Sequence, residues 1–178
     1  MNITTYTKLD MDPMAPRPED IRLEDIAHAL SLMTRANGHI RHFYSVAQHC
    51  ISCAREAVAR GWSPRLQLAC LLHDASEAYL SDITRPVKIH LPEYKLAEAA
   101  LQDVIFAHFG LSGLTPQELE QVHEIDDGML FFEYLELMGG CKLFEQAPVF
   151  LTAPDLSLRD FSAVEEEFLS LCRALTAS

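Results

Sequence analysis

Four side chains stand out because of where they sit: His49, the pair His73-Asp74, and Asp126 all lie in otherwise apolar stretches. The last belongs to a run opened by Pro116. At about 100° per residue, Leu119, Val122, Met129, Leu130 and Leu137 fall on one helical stripe. Asp126 and Glu133 fall in the middle of that stripe, and Asp127 points about 100° away. A carboxylate on a core face needs a cation or strong donors, so both a metal ion and a structural ion pair satisfy Asp126. His49 sits between Val46 and Cys53, where a histidine is either a satisfied core residue or a ligand. His73-Asp74 follows Leu66, Leu68, Ala69, Leu71 and Leu72 and is read as the inside of a strongly apolar helix. Glu77, at i+4 from His73 and i+3 from Asp74, faces the same place. Three helices that each put His or Asp on a buried face point together more strongly than any one does.

Two imidazoles and two carboxylates suit Mn²⁺, Co²⁺, Fe²⁺, Zn²⁺ or Ni²⁺ better than Ca²⁺ or Mg²⁺, which favour all-oxygen shells. One such ion can activate water and polarise a phosphoryl oxygen. Glu77 is then placed for proton transfer. The five cysteines are Cys50, Cys53, Cys70, Cys141 and Cys172. An odd count predicts free thiols. Cys50 and Cys53 have neither a preceding strand nor a second pair, so they read as small core residues one helical turn apart.

The elements that must position these groups read as helices. The first is expected over about Leu23 to Met33, the second over about Phe43 to Arg60, ending at Gly61. Ser63-Pro64 opens a third that should reach about Tyr79. Further helices are expected from about Pro92 to Phe109 and from Pro116 to about Met138, the latter behind a capping box of Thr115 and Glu118. Ser162 and Glu165 read as the cap of a C-terminal helix over about 162–175. The stretch from Cys141 to Leu156 is irregular. The sum is a single all-α domain over residues 1–178.

Length and composition agree with that reading. The chain has 178 residues, 49% of them hydrophobic, enough for one real core. No apolar run reaches the roughly 18–20 residues of a membrane span, and residues 1–17 lack a signal-peptide layout. A cytoplasmic protein without a membrane partner is the expectation. The formal charge of -12 argues against nucleic acid as a partner but not against a small anionic substrate in a locally positive pocket.

The order His49…His73-Asp74…Asp126 resembles the HD-domain phosphohydrolases. The run from Arg35 through Gly38-His39, Arg41 and Tyr44-Ser45-Val46-Ala47-Gln48-His49 is similar to a bacterial and phage branch of that superfamily. So are His73 to Ile83, Pro86-Val87-Lys88, and Asp126 with Leu130 and Glu133. The likeness runs from about residue 26 to residue 133. It implies a compact helical HD fold with His49, His73, Asp74 and Asp126 on one divalent ion. The branch is similar to bacterial 5′-deoxynucleotidases, which implies catalytic roles for Glu77 and Asp82 and a phosphate contact for Arg35. His39 and Arg41 are further substrate-binding candidates. The nucleotidases carry Trp after that Arg, where this chain has Ala36, so sugar selectivity is open. Some phage relatives hydrolyse deoxynucleoside triphosphates. The expected function is phosphate removal from (deoxy)nucleoside 5′-monophosphates. The alternatives are a triphosphohydrolase and a non-catalytic helical metal-binding protein. Related proteins are often dimers, so a homodimer is a further expectation. Lys88 reads as a solvated charge near the pocket mouth, and His28, His42, His90, His108 and His123 show no pattern that requires a metal.

Overall fold

The computed structural model describes residues 1–140 and 146–177. Cys141 lies outside them, as does part of the stretch read as irregular. Eight helices carry the fold among the described residues: α1 (Leu23–Leu32), α2 (Val46–Ala59), α3 (Pro64–Leu72), α4 (Glu77–Leu80), α5 (Arg85–Lys88), α6 (Pro92–His108), α7 (Pro116–Leu137) and α8 (Phe161–Thr176). A hairpin of two-residue strands, β1 (Ile3–Thr4) and β2 (Asp10–Met11), precedes them. The fold is all-α, and no helix is long and apolar enough to cross a membrane.

The most enclosed helix is α2. Val46, Ala47, Cys50, Ile51, Cys53, Ala54 and Ala57 are all buried, and α2 packs against α1, α3, α7 and α8. Apolar on nearly every side, it forms the axis of the core. Ser45 starts it by accepting from the Gln48 N–H at 3.1 Å, while Gln48 Oε1 accepts from the Ser45 N–H at 3.2 Å. That reciprocal cap leaves Phe43 and Tyr44 outside the helix, which starts three residues after the expected Phe43. From α8, Val164, Phe168 and Cys172 point inward at i, i+4 and i+8, and each buried apolar side chain of that size contributes roughly 1.5–3 kcal/mol. The cap of α8 is Asp160, not Ser162: Asp160 Oδ1 accepts from the Ser162 N–H at 3.0 Å and the Ala163 N–H at 3.3 Å.

One difference from the sequence reading bears on chemistry. The third helix ends at Leu72, so His73-Asp74 occupies a turn between α3 and α4. Two side chains interrupt the i→i−4 ladder there. His73 Nδ1 donates to the Cys70 carbonyl at 2.8 Å. Gln102, from α6, donates to the Leu72 carbonyl at 2.7 Å and accepts from the Ser76 N–H at 3.0 Å. The backbone tightens to i→i−3 bonds, as in Ala75 N–H to Leu72 O and Glu77 N–H to Asp74 O, both 3.0 Å. An inserted side chain is a known cause of such a break. Residues three apart nearly eclipse in the tighter turn, which stacks Glu77 over Asp74.

Candidate metal centre and its pocket

Helix α2 presents His49, the α3–α4 turn presents His73 and Asp74, and α7 presents Asp126. Their donor atoms converge. His49 Nε2 lies 3.2 Å from His73 Nε2, 3.1 Å from Asp126 Oδ1 and 3.8 Å from Asp74 Oδ2. His73 Nε2 lies 3.4 Å from Asp74 Oδ2 and 3.6 Å from Asp126 Oδ1. Donors that each stand about 2.0–2.2 Å from one small ion stand about 3–3.5 Å from each other, so these separations suit a divalent cation.

The outer nitrogens of both rings are already committed. His73 Nδ1 faces a carbonyl, which only accepts, so that nitrogen carries the proton. His49 Nδ1 donates to Glu133 Oε1 at 2.6 Å. In the neutral rings both Nε2 lone pairs therefore point at each other, an arrangement that a cation between them relieves. A carbonyl or carboxylate behind a ligating imidazole is the usual way its tautomer and orientation are held. Glu133 is thus a residue whose role the sequence reading missed. The signals were its place seven residues beyond Asp126 on the same apolar stripe and its part in the family resemblance, neither of which named a partner.

Other donor groupings touch the same rings. Cys53 Sγ lies 3.6 Å from His49 Nε2. His49, Cys53 and His73, and likewise Cys50, His73 and Asp74, bring potential ligand atoms close together. The Cys50–Cys53 pair is buried, as small core residues are, and its thiols lie against the imidazoles. The His and Asp set has the shorter separations, and burial holds the Cys50 thiol in its neutral form.

A cavity of about 150 Å³ opens beside the convergence. Its lining combines charged groups, Arg35, Asp74, Glu77, Asp82, Arg85, Lys88, Asp126 and Glu133, with apolar ones that include Ala36, Ile40, Ile83, Leu130, Leu137 and Met138, beside Tyr134. Five carboxylates against three cationic side chains leave a deficit of positive charge. Burial opposes ionisation of Asp126, but hydrogen bonds from His49 and His73 outweigh it and hold the carboxyl well below its usual range. Burial and Arg35 work against protonation of His49; Cys53, Glu133 and Asp126 outweigh them and push it upward. The centre calls for positive charge, as protons or as an ion.

Glu77 has the opposite balance. Burial, then the charges of Asp74 and Asp82, raise its pKa well above the ordinary range against Arg35 and Lys88. Its Oε2 is buried without a hydrogen-bond partner. Burial also raises Asp82, against the pull of Arg35. Arg35 is nearly enclosed and donates to Glu133 Oε2 at 3.3 Å and Asp74 Oδ2 at 3.4 Å, with Asp82 Oδ2 at 3.8 Å. Lys88 is half-buried rather than solvated: Nζ donates to Glu98 Oε1 at 2.6 Å and lies 3.6 Å from Glu77 Oε1. The structure does not bring His39 and Arg41 into this cavity. Ala36, Asn37 and Gly38 have φ of 51°, 52° and 77°, a left-handed turn that carries the following residues outward. Both side chains are exposed, and Arg41 lines a separate surface hollow with Phe132 and Pro154.

Comparison with known proteins places this geometry in a family. The uncharacterized protein YfdR of Escherichia coli K12 is 42% identical over 155 residues, 81% of this chain and 80% of that protein. The uncharacterized protein RCAP_rcc00048 of Rhodobacter capsulatus is 36% identical over 123 residues, 66% of this chain and 62% of that protein. The family model for the HD domain matches residues 30–134, a span that holds His49, His73-Asp74, Asp126 and Glu133. This chain belongs to the HD domain family, whose members are in general metal-dependent phosphohydrolases.

Proposed function

We propose that this protein removes phosphate from (deoxy)nucleoside 5′-monophosphates, with His49, His73, Asp74 and Asp126 holding one divalent ion. The observation that carries the metal assignment is the pair of imidazole Nε2 atoms 3.2 Å apart with both outer nitrogens committed. Mn²⁺, Co²⁺, Fe²⁺, Zn²⁺ and Ni²⁺ all suit that donor set. When bound, the ion supplies Lewis acidity toward a phosphoryl oxygen.

The side chains do the rest. Glu77, whose protonated form burial favours, is placed to give its proton to the leaving sugar oxygen. Arg35 spends three N–H groups on Glu133 and Asp74 and has two left for a phosphoryl oxygen. Asp82 lies 3.8 Å from the same Nη1 that faces Asp74 and lines the same cavity, where it can accept from a sugar hydroxyl. The apolar wall around Leu130 and Tyr134 suits the base. A purely structural ion would tend to sit in a closed four-ligand site, whereas this centre borders an open cavity with a buried, unpartnered acid. A second copy of the chain remains part of the proposal only as the resemblance implies it.

The test is product analysis over nucleoside mono-, di- and triphosphates with Mn²⁺, Co²⁺ and Zn²⁺. Orthophosphate should appear from monophosphates. Because Ala36 lines the cavity where the 5′-deoxynucleotidases that the chain resembles carry Trp, matched ribo and deoxy substrates should differ by less than about tenfold in kcat/KM. Release of tripolyphosphate from deoxynucleoside triphosphates alone would replace this reading with the triphosphohydrolase. No phosphate release from any substrate by metal-loaded protein would leave a metal-binding helical protein.

A further inference from the structure

The three cations of the cavity are not equally available. Arg35 is 12% exposed and Lys88 22%, and each faces carboxylates that also line the cavity. Pulling either away would strand buried negative charge. Arg85 differs. Its side chain is 64% exposed, its Nη2 donates to Asp127 Oδ1 at 2.7 Å, and Asp127 is 51% exposed. Arg85 lines the cavity and Asp127 does not. An ion pair as exposed as this one holds weakly.

We infer that Arg85 is a releasable anion-binding arm, parked on Asp127 and transferred to the phosphoryl group of an incoming phosphate monoester. The inference rests on the phosphohydrolase reading. Reach supports it: Arg85 Nη2 already stands 3.8 Å from Asp126 Oδ2, and the other oxygen of that carboxylate is 3.1 Å from His49 Nε2. A phosphoryl group against the centre lies within a rotamer change of the guanidinium. Chemistry supports it too. A phosphoryl group must enter a cavity lined by five carboxyl groups, and a planar guanidinium can bind two of its oxygens at once. The pair also explains why α7 carries Asp127 beside Asp126: one carboxylate faces the centre, and the other holds the arm that serves it.

Asp127 and phosphate then compete for one guanidinium, so the two substitutions act in opposite directions. The probe is inorganic orthophosphate, titrated calorimetrically into metal-loaded protein. Arg85→Ala should weaken binding about 10- to 100-fold, and Arg85→Lys should fall between. Asp127→Asn should tighten binding about two- to fivefold, and that gain should vanish in the double variant. Thermal midpoints check that all variants fold. Wild-type affinity in folded Arg85→Ala would overturn the inference while leaving the phosphohydrolase reading intact. Equal weakening in both single variants would overturn it as well, since the pair would then be a scaffold. A wild-type protein that neither binds orthophosphate nor releases it from any ester would overturn both.

Discussion

Two glutamates are buried to nearly the same degree, Glu56 on α2 at 0% and Glu77 at the start of α4 at 3%, and they do opposite things. Glu56 is fully supplied with donors. Arg60 Nε reaches it at 2.8 Å, the Leu151 N–H at 3.0 Å, and Thr152 by its N–H at 2.9 Å and its hydroxyl at 2.7 Å. Burial works against its charge, but Arg60, Leu151 and Thr152 prevail and lower its pKa. The result is a clamp. It ties the segment around residues 149–152 to α2, and Phe150 of that segment packs where a side chain at Gly128 would collide. Glu77 lacks such donors. One oxygen is orphaned, and burial with Asp74 and Asp82 raises its pKa against Arg35 and Lys88. Burial of an acid therefore says little by itself; the donors around it separate a structural anion from a proton source.

That contrast is easiest to break at Glu77. Glu77→Gln should cut phosphate release about 10²–10⁴-fold, the usual size for general acid–base work, while the ion stays bound and the thermal midpoint does not fall. Stoichiometric loss of the ion in this variant would move Glu77 into the coordination sphere. Glu56→Gln should do the reverse. It places an amide against N–H donors and should cost about 1–3 kcal/mol of stability, with kcat/KM per folded molecule unchanged. A stable but inactive Glu56→Gln would erase the distinction.

The smallest expected effect is on pH dependence in metal-free protein. Glu56 is depressed below its ordinary 4.5, so its contribution is complete above that value and is lost as pH falls through the depressed one. Glu77 is raised above 4.5, so its contribution is complete below that value and is lost as pH rises through the raised one. Relative to wild type, Glu77→Gln should gain stability toward neutral pH, and Glu56→Gln should lose its deficit in acid. Urea unfolding at several pH values reads both slopes, and slopes of the same sign would contradict the assignment.

Much of this was legible in the sequence because apolar periodicity exposes whatever interrupts it. The all-α class, the spans of α6 and α7, and the odd position of Asp126 on a core stripe all follow from local spacing. What escaped depends on residues far apart in the chain. The break after Leu72 needs Gln102, thirty positions on and on another helix. Glu133 shows its purpose only when α2 brings His49 beside it. Lys88 reads as solvated until Glu98 and Glu77 close around it. His39 and Arg41 are placed by the resemblance; Asn37-Gly38 signals a turn, but nothing local shows that it begins at Ala36 and directs them elsewhere.

The central claim is that His49, His73, Asp74 and Asp126 hold a divalent ion on which phosphate release depends. The direct measurement is phosphate release from a deoxynucleoside monophosphate by chelator-stripped protein during stepwise return of Mn²⁺, with bound metal quantified in parallel. The account predicts no turnover at the start, a rise that stops at one ion per chain, and neither uptake nor turnover in Asp126→Asn. Undiminished turnover by protein shown to be free of metal would contradict it.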